Sequence, residues 1–110
     1  MKTYALALDL KDNEQLIKEY EQFHQAIWPE IKESIQTAGI TDMRIYRLGN
    51  RLFMLMEVTD EFSFEKKAVA DAANPIVQKW EELMWKYQQP LPQAGDGEKW
   101  VIMSEIFKLN

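Results

Sequence analysis

The chain is 110 residues long, has no cysteine, and carries 18 acidic against 13 basic residues, for a net charge of −5 and a pI near 4.9. That length holds one domain, residues 1–110, with a single core. The acidic balance argues against nucleic acid, and the missing cysteines remove disulfides, thiolate metal sites and thiol nucleophiles. No apolar run approaches the ~20 residues of a membrane span, and the N-terminus shows no leader-like apolar stretch, so a soluble, cytoplasmic protein without a membrane partner is expected.

Tyr4, Leu6, Leu8 and Leu10 alternate with Thr3, Ala5, Ala7 and Asp9, the period of a strand. Asp12 or Asn13 can cap the helix that follows, in which Leu16, Tyr20, Phe23 and Ile27 recur at helical spacing. Pro29 suits a first helical turn and biases Trp28 out of the α region, which predicts a break at Trp28. A second helical segment then runs from Pro29 to Ala38 and ends at Gly39.

Asp42 to Leu48 and Arg51 to Val58 read as a hairpin joined by Gly49-Asn50. Phe62 to Ala72 is helical, Asn74-Pro75 punctuates the chain, and Ile76, Trp80, Leu83 and Tyr87 stripe another helix. Gln88 to Gly97 reads as a loop, and Trp100 to Leu109 alternates as a final strand. The order β-α-β-β-α-β is the split βαβ pattern of a ferredoxin-like α+β domain. One face of its sheet would lack a helical cover, with either Met43, Ile45, Leu52, Met54 and Met56 or Tyr46, Leu48, Phe53 and Leu55 on it. Soluble monomers rarely expose a patch of that size, so a homodimer packed sheet on sheet is expected.

His24 is the only histidine, and histidine alone among side chains has an unperturbed pKa that allows proton transfer in both directions near neutrality. It lies one helical turn after Tyr20, on the flank of the apolar stripe. A half-buried histidine bonded to a backbone carbonyl is the structural alternative. Trp28-Pro29-Glu30 equally fits a helix start, and Trp80 a core position. Trp85 falls opposite the stripe, exposed or covered by another segment or subunit. Glu57 and Glu105 lie in strand patterns and, if buried, need partners such as Arg44, Arg47 or Arg51. No phosphate-binding or metal-binding motif appears, so neither metal nor cofactor is expected.

The run Tyr20, His24, Trp28, Pro29, Glu30 resembles the signature of the L-rhamnose mutarotase family. Ile45-Tyr46, Leu52-Phe53-Met54, Val77-Gln78-Lys79-Trp80 and Glu105-Ile106-Phe107 match in order and spacing, so the resemblance covers nearly the whole chain. It implies a dimeric α/β barrel of ferredoxin-like subunits that interconverts the anomers of a 6-deoxy sugar without cofactor or metal. It implies His24 as proton donor, Tyr20 as a substrate-binding residue, Trp80 as a pocket wall, and Trp28 beside them. Two positions depart from the pattern: Met43 replaces a second pocket tyrosine, and Glu81 replaces a second tryptophan. Both fall on sugar-contacting positions, so the resemblance leaves open L-rhamnose or L-fucose as the monosaccharide. In the implied reaction His24 protonates the ring oxygen, a second group such as the Glu81 carboxylate deprotonates the anomeric hydroxyl, and Tyr20 binds and orients. The same architecture would also suit a non-catalytic ligand-binding barrel or a cofactor-free monooxygenase.

Overall fold

The computed structural model describes residues 2–110. Strand β1 (Lys2–Leu10) is followed by helices α1 (Glu14–Gln25) and α2 (Pro29–Thr37). Strands β2 (Ile40–Leu48) and β3 (Arg51–Val58) form the hairpin, and helices α3 (Phe64–Ala72) and α4 (Pro75–Trp85) follow. Two short strands, β4 (Gln88–Gln89) and β5 (Val101–Ile102), complete the antiparallel sheet. The order is β2-β3-β1-β4, with β5 sharing the free edge of β1, which is the connectivity expected of the split βαβ pattern.

Local chemistry explains the boundaries. The Asn13 side chain accepts a hydrogen bond from Leu16 N at 3.0 Å and opens α1. Trp28 takes an extended ψ of 135° ahead of Pro29, so the chain breaks there and restarts as α2. Asn74 accepts from both Ile76 N and Val77 N, with Pro75 in the first turn of α4. Gly39 adopts φ +100°, a conformation L side chains rarely take, and turns the chain from α2 into β2.

Register decides which face is which. Leu6, Leu8 and Leu10 of β1 and Leu52, Met54, Met56 and Val58 of β3 are buried, and most of them join Tyr20, Ile31, Val77, Trp80 and Met84 of the helices in two adjoining core clusters. The alternate residues pair across the opposite face: Ala5 with Leu55, Ala7 with Phe53, and Phe53 with Tyr46. On that face Tyr46 and Leu48 are exposed.

From Gln88 onward the chain departs from the sequence reading. Gln88-Gln89, taken for loop, pairs with Leu10 and Asp9, and stops at Pro90, which has no N–H for a ladder. The long closing strand expected over Trp100 to Leu109 is only two residues long. Beyond the bond from Met103 N to Ala5 O, the tail makes no backbone bond among the described residues, with Ile106 96%, Phe107 75% and Leu109 81% exposed. Alternating apolar residues signal a capacity to pair and cannot supply the partner edge. Glu105 is accordingly exposed rather than a buried acid. Arg47 pairs with Glu21 and Arg51 with Asp9, whereas Arg44 pairs with Asp42 and also feels the charge of Glu57.

Candidate active site

Between the sheet and the helices lies a cavity of about 410 Å³. Its floor is apolar, built from Leu6 of β1, Met43 and Ile45 of β2, and Met54 and Met56 of β3. Its walls carry the polar groups: Tyr20 and His24 of α1, Trp80 and Glu81 of α4, Lys67 of α3, and Glu98 and Trp100 from the segment ahead of β5.

The four-residue spacing places the His24 ring one turn beyond that of Tyr20, with centroids 4.3 Å apart. The edge of His24 also meets Trp80, at 5.6 Å between centroids and 61° between planes. His24 Nδ1 lies 2.9 Å from the Tyr20 carbonyl oxygen. A carbonyl oxygen only accepts, so Nδ1 carries the proton in that bond and Nε2 holds the lone pair of the neutral ring. Burial pushes the imidazole below its ordinary pKa, and the backbone bond opposes that shift only in part. The sole histidine is therefore neutral at pH 7, with one nitrogen anchored to the main chain. It combines the structural alternative, a carbonyl-bonded histidine, with a place in the cavity wall.

Tyr20 is 3% exposed, and burial drives its phenol up to about 12, with the nearby Glu81 charge adding to the rise. A long 3.5 Å bond from Gln88 Nε2 to its hydroxyl oxygen works in the opposite direction. Gln88 itself is buried, and its Oε1 has no hydrogen-bond partner among the described residues.

Glu81 is held from the loop side. Lys99 Nζ donates to its carboxylate at 2.6 Å and to its backbone carbonyl at 2.9 Å. The same ammonium sits 4.7 Å from the centre of the Trp85 ring, which explains how Trp85, opposite the core stripe of α4, is covered. One lysine thus ties the 90–100 loop to the outer side of α4.

The structure brings together five of the six residues singled out from the sequence: His24, Tyr20, Trp80, Glu81 and Met43. Trp28 is the sixth: it is not among the lining residues, and its ring meets that of Trp80 edge to face at 5.1 Å. Sequence reasoning missed Gln88, Glu98, Lys99 and Trp100. Each reaches the site through long-range return of the chain, for which no local pattern exists. Among the described residues, no group of three or more His, Cys, Asp or Glu side chains is placed to hold a metal ion. A larger cleft of about 630 Å³ between α2 and α3, lined by Glu30, Glu33, Glu61 and Lys66, contains no histidine or aromatic ring.

A ferredoxin-like α+β domain with a histidine set into an aromatic-walled, apolar cavity defines the class of this protein. A family model described as L-rhamnose mutarotase matches residues 3–109, and the chain belongs to that family. It is 43% identical to an L-fucose mutarotase of Xanthomonas campestris pv. campestris, over all of this chain and 90% of that protein. It is 40% identical to an L-rhamnose mutarotase of Phocaeicola vulgatus, over the full length of both. The crystal structure of an L-rhamnose mutarotase from Formosa agariphila superposes over all of both chains with a TM-score of 0.74 at 23% identity, which shows the shared fold. Among the described residues no helix is long and apolar enough to cross a membrane.

Proposed function

We propose that this protein is a mutarotase that interconverts the α and β anomers of a 6-deoxy-L-hexose, L-rhamnose or L-fucose, by acid/base opening and closure of the ring without a cofactor. The observation that carries this reading is the state of His24: a neutral imidazole with Nδ1 anchored and Nε2 left for the cavity. Opening a hemiacetal requires one proton lost from the anomeric hydroxyl and one gained by the ring oxygen, and a positioned group that moves one of them contributes ~10²–10⁴-fold. Mutarotation needs no net proton or electron, which suits a site with one titrating residue near neutrality.

The rest of the cavity suits the sugar class. The Leu6, Met54 and Met56 floor offers contact for the C6 methyl, and the Trp80 face suits the C–H face of a pyranose. The Glu81 carboxylate offers acceptors for sugar hydroxyls. Met43 and Glu81 stand where the family pattern carries aromatic residues, so they are the side chains expected to choose between the two sugars. L-Fucose is the first to test, given the relative at 43% identity.

A second copy of the chain is the expected partner. The face carrying Tyr46, Leu48, Phe53 and Leu55, together with an unpaired apolar tail, supports that reading, since it amounts to an uncovered sheet face beside an unpaired strand-like segment.

The test is two-dimensional exchange NMR on the anomeric protons of L-fucose and L-rhamnose. Exchange faster than the spontaneous rate, lost in a folded His24→Ala variant, is the expected result. If neither sugar exchanges faster, the sugar-mutarotase reading fails. Undiminished exchange in His24→Ala would instead remove His24 from the reaction.

A further inference from the structure

We infer that Trp100 is a second aromatic wall for the sugar, and that it biases the cavity toward L-fucose over L-rhamnose. This rests on the mutarotase reading above and names the substrate within it.

The chain ahead of β5 is arranged to present this ring. Glu98 and Trp100 line the cavity, while Lys99 between them binds α4 instead, through the Glu81 carboxylate and carbonyl and the Trp85 ring. Successive side chains here leave the backbone on opposite sides, so fastening the middle residue to α4 fixes which way its neighbours face. Trp100 is half-buried and packs against both core clusters, as do Ile35 and Ile45, which also line the cavity. The indole is thus seated on the core with surface left over for the cavity.

The two tryptophans of the lining come from distant parts of the chain, Trp80 from α4 and Trp100 from the returning loop. The resemblance noted above puts a second tryptophan directly after the first, whereas here that position is Glu81, with Oε2 committed to Lys99. The aromatic surface missing at position 81 is therefore supplied from the loop. Glu81 positions Trp100 through Lys99, besides offering acceptors to sugar hydroxyls.

Sugar stereochemistry then favours one substrate. A site that turns one anomer into the other must grip a face that the change at C1 leaves alone. In L-fucose the hydrogens on C3, C4 and C5 share one face of the ring, beside the C6 methyl and away from C1. In L-rhamnose the C4 hydrogen lies on the face opposite those on C3 and C5. Its continuous C–H surface therefore runs through C2, next to the bond about which the opened sugar rotates. A flat indole buries the first patch equally well in both anomers and leaves C1 free.

Titration of the unmodified protein with each sugar, followed at the assigned Trp100 indole N–H signal, tests the wall directly. Expected is a shift that saturates with L-fucose at lower concentration than with L-rhamnose. Trp100→Leu keeps apolar bulk without a flat ring. It should raise KM for L-fucose about 10-fold, with kcat and the KM for L-rhamnose within a few-fold. Trp100→Phe, which keeps a flat face, should recover most of that loss. An indole signal that stays put while the protein accelerates L-fucose exchange would overturn the inference, since Trp100 would then serve the core alone. Equal losses for the two sugars in Trp100→Leu would overturn the preference for L-fucose. A saturating shift without faster anomer exchange would uphold the wall and refute the mutarotase reading, whereas neither shift nor exchange would refute both.

Discussion

Replacing Lys99 with methionine isolates what holds the 90–100 loop against the cavity. The aliphatic stem is kept, while the bonds to the Glu81 carboxylate and carbonyl and the contact with the Trp85 ring are lost. The Glu81 side chain is 42% exposed, so water screens the ion pair and leaves it ~0–1 kcal/mol. The bond to the main-chain carbonyl comes from an ammonium whose side chain is only 11% exposed, and it contributes ~1 kcal/mol. The ring contact adds ~0.5–1 kcal/mol. The three together are worth about 2 kcal/mol, which corresponds to a change in loop opening of about 30-fold. Because Lys99 ties a loop to a helix surface, the effect should be local. Hydrogen–deuterium exchange should therefore accelerate in residues 90–100, with little change in the sheet. KM for the sugar should rise with it, because Glu98 and Trp100 on the same segment line the cavity. Unchanged exchange in that loop would refute the argument that Lys99 holds it closed.

Two further outcomes concern stability. Leu8 is fully buried, so Leu8→Ala should cost about 3 kcal/mol in a urea melt; a loss below 1 kcal/mol would show that the sheet repacks around the gap. His24 has a lowered pKa in the folded chain, so between the unfolded value near 6.5 and that lower value the unfolded state binds more protons. Stability should thus be fully present above about pH 6.5 and decline as pH falls through the folded value. His24→Gln should remove that part of the decline, and an identical acid profile in the variant would refute its assignment to His24.

Much of the helical and hairpin framework was legible because it is encoded locally. Asn13, the Trp28-Pro29 break, the Gly39 turn, Gly49-Asn50 and the Asn74-Pro75 start each act on their immediate neighbours. The same holds for the half of the site on one helix, since a spacing of four fixes Tyr20 against His24. The other half was hidden for the converse reason. Gln88, Lys99 and Trp100 meet the site from 64 to 76 residues away from His24, and nothing in their own neighbourhood marks them. The closing strand was overread because alternation records which faces of a segment are apolar, while pairing also needs a free edge. The departures at Met43 and Glu81 were visible as residues, but only the structure shows one on the floor and the other tethered to Lys99.

The anchor of His24 is a main-chain atom. No substitution at position 20 can delete that carbonyl, so the tautomer of the imidazole is inherited from the helix rather than from any partner side chain. The groups expected to recognise the sugar are different in kind: Met43 and Glu81 are replaceable side chains on two other elements. On the proposed reading, a lineage can therefore exchange them one at a time and drift from one sugar to another while the anchored histidine stays as it was. In such a scaffold, new specificities arise as variations on an unaltered reaction.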